Sequence, residues 1–204
     1  DANNILYYHD GHYIPLGSGT NGPVYTVALT DRYYYAGGNF TKAGDINVKN
    51  FARFNRQLNK WEPIIPSIAA YDIPFNGDVN KIVVVNDSLI YVAGKFKELG
   101  GIKSNDYFAV FDGKSWKSLG LGLVGEPVMG IEVLDNKIYV AGGFLDADSK
   151  HNNDYFVTFN SIGYESVGNI PLNGVVTNLY KDGNELILFG YFNNAGGLDE
   201  ADFI

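Results

Sequence analysis

Three groups of side chains in the 204-residue sequence could do chemistry. The first is His9-Asp10-Gly11-His12, where two imidazoles flank a carboxylate and imidazole nitrogens are common zinc ligands. The second is acidic: Asp146, Asp148 and Asp154 in one stretch and Asp199, Glu200 and Asp202 in another. Their oxygens could hold calcium, or a pair could act as acid and base in glycoside hydrolysis. The third is a pair of N-glycosylation sequons, Asn39-Phe40-Thr41 and Asn86-Asp87-Ser88. Several familiar arrangements are absent. With no cysteine there is no thiolate metal site, thiol nucleophile or disulfide. The glycine-rich stretches 36–38 and 120–123 lack the Lys-Ser/Thr and the strand-to-helix setting of a phosphate loop. No Gly-x-Ser-x-Gly elbow occurs, and His151 sits in a polar stretch with Asn152 and Asn153.

The elements that position these residues follow from an internal repeat. A six-residue phrase, aromatic or aliphatic, x, small or apolar, Gly, x, Phe, occurs four times, at 35–40, 91–96, 139–144 and, more weakly, 187–192. Its Phe positions are 56, 48 and 48 residues apart. Each phrase follows an apolar strand (24–29, 79–85, 128–134, 175–180) and a polar turn rich in Asn and Asp, which tolerate the left-handed backbone of tight hairpins. After the first three phrases a third strand follows, Phe51–Asn55, Tyr107–Asp112 and Tyr155–Asn160, and then a fourth that opens on Trp61, Trp116 or Tyr164. Composition agrees: 15 Tyr, 13 Phe and 25 Gly suit pleated strands joined by turns.

Four antiparallel strands per unit of about 50 residues predict an all-β chain, a β-propeller of four-stranded blades. A lone sheet would leave its aromatic faces wet. Phe40, Phe96, Phe144 and Phe192 are therefore expected between blades, with the glycine two residues before each allowing close backbone approach. The repeats run over about 20–65, 75–122, 124–169, and 175–204 together with 1–19. Residues Ile5–Gly11 align with Tyr107–Gly113, so the chain begins with strands three and four of a blade; 202–204 begins another third strand. Two arrangements are open. Pairing of the two terminal segments would close a four-bladed ring and remove its free edges; otherwise the chain is cut from a longer array of the same repeat.

This organisation weighs on the chemistry. In the second copy the residues aligned with His9-Asp10-Gly11-His12 are Phe111-Asp112-Gly113-Lys114, so a strand end and turn is the stronger reading than a metal site. The acidic residues belong to different copies, vary in position, and lack the spacing of an EF-hand loop. We expect no catalytic residue, metal or cofactor. Loops 45–49, 102–105 and 146–153 are free to vary and would carry any binding surface, with Asp45, Lys103, Asp146, Asp148 and Asp199 as candidates. Asn86, in a hairpin turn, is the favoured glycosylation site, and Asn39, before a core Phe, the second.

Net charge is −8, which argues against nucleic-acid or anionic-membrane partners. No run approaches the ~18 apolar residues of a membrane span. The sequence has no leader pattern and no initiator methionine, which points to a leader and flanking regions having been removed.

The phrase Tyr-Val-Ala-Gly-x-Phe, followed by Ala-Gly or Gly-Gly, a Phe-Ala-x-Phe strand ending in Asn or Asp, and Trp-x-x-Leu-Gly, is clearest over 35–61 and 91–120. It resembles the extracellular repeats of the fungal bud-site-selection landmark family, the Rax-type cortical markers. That resemblance implies kelch-like propeller repeats in the ectodomain of a large type I membrane glycoprotein that marks sites of polarised growth. The chain would then be a non-enzymatic recognition or scaffolding piece of that ectodomain, on the extracellular face of the plasma membrane. Its partners would be proteins at the cell surface or cortex, with a cell-wall glycan as a second class. Alternatives are a carbohydrate-binding or glycan-processing propeller, recognised by exposed aromatic rings around an acidic pocket, and a bacterial secreted or surface adhesin repeat.

Overall fold

The computed structural model describes residues 3–65, 75–99, 106–123, 125–160, 163–168 and 172–193. Over these the chain is all-β apart from a 3-10 turn at Ala147–Ser149, a 3-10 residue at Leu99 and short turn segments. The strands are β1 (Leu6–His9), β2 (His12–Pro15), β3 (Val24–Leu29), β4 (Tyr33–Gly38), the short pair β5 (Lys42–Ala43) and β6 (Ile46–Asn47), β7 (Phe51–Asn55) and β8 (Lys60–Glu62). They continue as β9 (Val79–Asn86), β10 (Leu89–Gly94), β11 (Phe108–Phe111), β12 (Trp116–Lys117), β13 (Val128–Leu134), β14 (Lys137–Gly142), β15 (Phe156–Phe159), β16 (Tyr164–Ser166), β17 (Val175–Asp182) and β18 (Glu185–Tyr191).

Three antiparallel four-stranded meanders result: β3-β4-β7-β8, β9-β10-β11-β12 and β13-β14-β15-β16. β1-β2 and β17-β18 are two-stranded sheets. The first strands lean on one another in sequence, β3 against β9, β9 against β13 and β13 against β17. Cross-links between them include Thr26 Oγ1 accepting from Ile82 N at 3.3 Å, Lys81 Nζ on Glu132 Oε1 at 3.0 Å and Lys181 Nζ on the Val133 carbonyl at 3.1 Å. The core lies between successive sheets. Tyr33, Tyr35 and Phe51 of the first pack with Val79, Ile82, Val92 and Phe96 of the second. Tyr91 and Phe108 of the second pack with Ile131, Val140 and Phe144 of the third. A fully buried side chain of this size contributes roughly 1.5–3 kcal/mol, so each sheet is stabilised mainly by its neighbours.

The repeated phrase has a backbone explanation. At Gly38, Gly94, Gly142 and Gly190 an added Cβ would run into the carbonyl oxygen of Pro23, Asp78, Pro127 and Val175 respectively, at the start of the neighbouring first strand. A register shift marks the same place in each pair, a β-bulge that draws the two backbones together. Phe40, Phe96 and Phe144 are buried as the pattern predicts, whereas Phe192 is only partly buried, against Ala141, Val176 and Leu179.

A left-handed residue opens every third strand: Asn50 (φ 63°), Tyr107 (φ 62°) and Tyr155 (φ 58°). Its N–H donates to the carbonyl of the phrase Phe and its carbonyl accepts from the phrase Gly; at Asn50 these bonds are 2.8 and 3.0 Å. Four residues later comes the partner of the strand-four aromatic: Phe54 opposite Trp61, Phe111 opposite Trp116, Phe159 opposite Tyr164. Asn4 (φ 63°) stands in the same relation to Tyr8, which pairs with Tyr13. The N-terminal segment is thus strands three and four, as the sequence suggests, but one residue out of the expected alignment: Ile5 corresponds to Phe108, not Tyr107. The two hairpins are equal in length, Tyr8 pairing with Tyr13 as Phe111 pairs with Trp116; the Asp-Gly dipeptide falls one position later in the first, where Asp10 (φ 46°) and Gly11 (φ 81°) are the two central residues that Gly113 and Lys114 are in the other.

Closure of the ring by the terminal segments does not occur among the described residues, where β1 pairs with β2 and β18 with β17 alone. The third strand expected at 202–204 lies outside them. No helix among the described residues is long and apolar enough to cross a membrane.

Candidate functional site

Loops 45–49 and 146–153 lie at the end of the sheets where strand two leaves and strand one arrives, and in three of the four repeats an asparagine before strand one staples the residues that follow strand two. Asn21 Oδ1 accepts from Thr41 N at 2.9 Å and Lys42 N at 2.8 Å. Asn76 Oδ1 accepts from Lys97 N at 2.7 Å, and Asn173 Oδ1 from Asn193 N at 2.8 Å. Each Asn is followed by a glycine, Gly22, Gly77 or Gly174, whose absent Cβ would overlap the carbonyl oxygen of Asn39, Lys95 or Tyr191. This recurring Asn-Gly just before strand one was the signal that sequence reasoning missed. Its reading as a simple turn dipeptide hides the second function, gripping the loop after strand two.

The acidic candidates fall into this framework. Asp45 is exposed at the tip of the β5–β6 hairpin, beside the left-handed Gly44 (φ +55°). Asp148 is a clamp: Oδ1 accepts from Leu121 N at 2.5 Å and Oδ2 from Tyr164 N at 2.7 Å. Asp154 Oδ1 accepts from Asp146 N at 2.7 Å, the same bond that Asp106 makes to Glu98 N in the preceding sheet, also at 2.7 Å. Asp146 itself meets His151 Nδ1 at 3.3 Å on an exposed surface. Asp45 and Asp146 thus share one end of the array on different sheets, and among the described residues no group of three His, Asp or Glu side chains could hold a metal ion. Lys103, Asp199, Glu200 and Asp202 lie outside the described residues, as does loop 102–105.

The other candidates are also placed. His9 and Asp10 sit at an exposed hairpin turn, with Nε2 and Oδ2 3.3 Å apart. Asn86 is exposed, its Oδ1 accepting from Ser88 N at 2.9 Å in the β9–β10 turn. The neighbouring Asp87 Oδ1 accepts from Thr30 Oγ1 at 2.7 Å and from the Tyr35 hydroxyl at 3.0 Å, which fastens this turn to the first sheet. Asn39 is exposed at the opposite end, and its amide donates to Asp78 Oδ1 at 2.8 Å.

Electrostatic perturbation follows packing. Burial, and then the hydrogen bond to Asp87, pushes the Tyr35 hydroxyl well above the ordinary range. Burial, with the Asp148 charge behind it, does the same to Tyr164. Lys117 Nζ, 2.7 Å away, and the amides of Ser115 and Lys114 hold Asp112 below the usual carboxylate range. Each shift moves its group away from neutrality, opposite to what a general acid or base needs. The strand-four aromatics Trp61, Trp116 and Tyr164 are buried. The exposed rings Tyr7, Tyr8, Tyr13, Tyr25, Tyr180, Phe189 and Tyr191 lie on the terminal hairpins and β3.

No family model matches the chain. Among characterised proteins it is similar to polarized growth protein L1 of Phoma sp. (strain ATCC 20986 / MF5453), with 28% identity over 121 residues. The match takes in 56% of this chain and 9% of that protein, so the chain spans a small part of its relative's length.

Proposed function

We propose that the four-stranded sheets are blades of a kelch-like β-propeller, and that the chain is a non-enzymatic recognition or scaffolding module in the ectodomain of a cell-surface polarity or bud-site-selection marker. The observation that carries the reading is the similarity to a protein named for polarised growth. It is supported by the stacking of β3, β9, β13 and β17 in sequence order, the arrangement that radially disposed blades require. Recognition of a protein partner at the surface or cortex falls to the stapled loops around Asp45 and Asp146. Asn21 holds the first of these loops and Asp148 and Asp154 the second, leaving exposed side chains on a fixed framework, the usual division of labour between scaffold and binding loop. Net charge of −8 favours partners that are not polyanions. A carbohydrate-binding surface would need exposed rings around an acidic pocket, and Trp61, Trp116 and Tyr164 are committed to packing. The test is to display the fluorescently tagged chain on a polarised fungal cell. Accumulation at growth sites that is lost with Asp45→Lys and Asp146→Lys is the expected result; uniform distribution of the unaltered chain refutes the reading.

A further inference from the structure

Asn21-Gly22, Asn76-Gly77 and Asn173-Gly174 are the Asn-Gly dipeptides of the sequence, and each stands just before a first strand. The asparagine that grips the loop is also chemically labile. Its carboxamide is thermolabile, and a following glycine, having no Cβ, leaves its own backbone nitrogen open to attack that carboxamide. Whether the two meet depends on how firmly the side chain is held, and the dipeptides are held unequally.

Around the first two, the flanking backbone is fixed to a similar degree. Asn50 Nδ2 donates to the carbonyls of Phe75 at 3.0 Å and Gly77 at 2.9 Å. The Thr20 carbonyl accepts from Asn4 Nδ2 at 2.7 Å and the Gly22 carbonyl from Thr20 Oγ1 at 2.8 Å. The carboxamides differ. That of Asn21 makes three bonds: Oδ1 accepts from Thr41 N and Lys42 N, and Nδ2 donates to Thr41 Oγ1 at 2.8 Å. That of Asn76 makes one among the described residues, Oδ1 accepting from Lys97 N at 2.7 Å, and the residue is exposed. Its neighbour Phe75 is buried against Phe51 of the first sheet and Phe96 of the second, so Asn76 sits at an interior joint of the array rather than at an end of the chain. Asn173 borders residues outside those described, and nothing is inferred for it.

We propose that Asn76 is a deamidation site of the native protein and that Asn21 is protected by its staple. In the reaction the Gly77 nitrogen, its proton taken by solvent base, bonds to Asn76 Cγ; the Cγ–Nδ2 bond breaks and Nδ2 leaves as ammonia. Water then opens the resulting succinimide at either carbonyl, giving aspartate or isoaspartate. The carboxamide must leave its partners before it can meet the nitrogen. Each hydrogen bond opened slows the step roughly fivefold at its usual net strength. Protection relative to the unfolded chain is therefore about fivefold at Asn76 and about a hundredfold at Asn21.

The two products act differently on the fold. Aspartate keeps an oxygen where Lys97 N needs an acceptor. Isoaspartate carries the main chain through the side-chain carbon, which adds an atom between the Phe75 and Gly77 carbonyls that Asn50 holds and draws Gly77 from its close approach to the Lys95 carbonyl oxygen. The joint between β7 and β9 and the loop after β10 are loosened together.

The test ages the whole folded chain in mildly alkaline buffer beside a sample in urea, and follows the amide-to-acid mass change and isoaspartate at each Asn-Gly by peptide mapping. Dividing the urea rate by the native rate at each site removes the effect of local sequence, and the protections given above are the expected result. Thr41→Ala, an exposed change that removes the partner of Asn21 Nδ2, is expected to lower the protection of Asn21 about fivefold and leave that of Asn76 unchanged. The isoaspartate fraction is expected to show a lowered urea midpoint, and Asn76→Asp to keep that of the parent. Equal protection at the two sites, greater protection at Asn76, or an Asn21 rate untouched by Thr41→Ala overturns the proposal. An isoaspartate form as stable as the parent overturns the loosened joint.

Discussion

Gly94→Ala tests the reason the repeated phrase exists. The Gly94 backbone does not need a left-handed conformation; what glycine supplies there is space. A methyl group at this position would fall on the Asp78 carbonyl oxygen, with Val79 Cα only 3.0 Å away. Neither side can yield easily. The Asp78 carbonyl accepts from Lys95 N at 2.8 Å, while Gly94 N is held by the Tyr107 carbonyl at 3.0 Å. Relief requires opening the bulge between β9 and β10, which combines overpacking, roughly 1–3 kcal/mol, with loss of one backbone hydrogen bond, about 1 kcal/mol. The expected destabilisation is therefore about 2–4 kcal/mol. With a urea m-value of about 2 kcal/mol/M, the denaturation midpoint should fall by about 1–2 M. Gly183→Ala supplies the contrast, since Gly183 is left-handed (φ +57°) with open space where a Cβ would go. Its expected cost of about 1–2 kcal/mol comes from conformation alone. A Gly94→Ala stability within about 0.5 kcal/mol of the parent, the range of an ordinary surface change, would refute the close-approach explanation.

Two further expectations concern the staples and the buried rings. Asn50→Ala removes an acceptor from Phe40 N at 3.0 Å and two donor bonds, to the carbonyls of Phe75 at 3.0 Å and Gly77 at 2.9 Å, from a left-handed position. A loss of about 2–4 kcal/mol is expected in urea denaturation, with Asn50→Gly less damaging because it relieves the backbone. Tyr164 has its folded pKa raised, so the folded state holds the proton more tightly than the unfolded chain. Its contribution is fully present below the unfolded value near 10 and is lost as pH rises from there toward the folded value. Stability measured between pH 8 and 12 should fall above about 10, and Tyr164→Phe should shallow that fall; an unchanged slope would count against it.

The fold's strand order was legible because the phrase ties three requirements to fixed positions: a glycine where backbones touch, a Phe between sheets, and a turn that needs Asn or Asp. The N-terminal register was not, because the shared Asp-Gly dipeptide invites aligning Asp10-Gly11 on Asp112-Gly113, whereas it sits one position later in a hairpin of the same length. Tyr107 and Tyr155 could not have been placed in left-handed backbone by propensity, which disfavours bulky residues there. The acidic loop was legible as acidic only. Sequence shows that Asp148 and Asp154 are carboxylates, but their direction, toward backbone N–H groups within the chain rather than outward to a ligand, is a property of the folded loop. Asp45 is exposed at its hairpin tip, and the Asp146 carboxylate, half exposed, lies beside His151 of the same loop.

The measurement that bears most directly on the proposal of an extracellular module is intact mass before and after glycosidase treatment of the chain made by its native host, with peptide mapping at both sequons. Asn86, exposed on a two-residue turn, is expected to carry glycan. Asn39, whose amide is engaged by Asp78, is expected to be occupied less. Glycan at Asn86 is the result the account predicts; bare asparagine at both positions would contradict it.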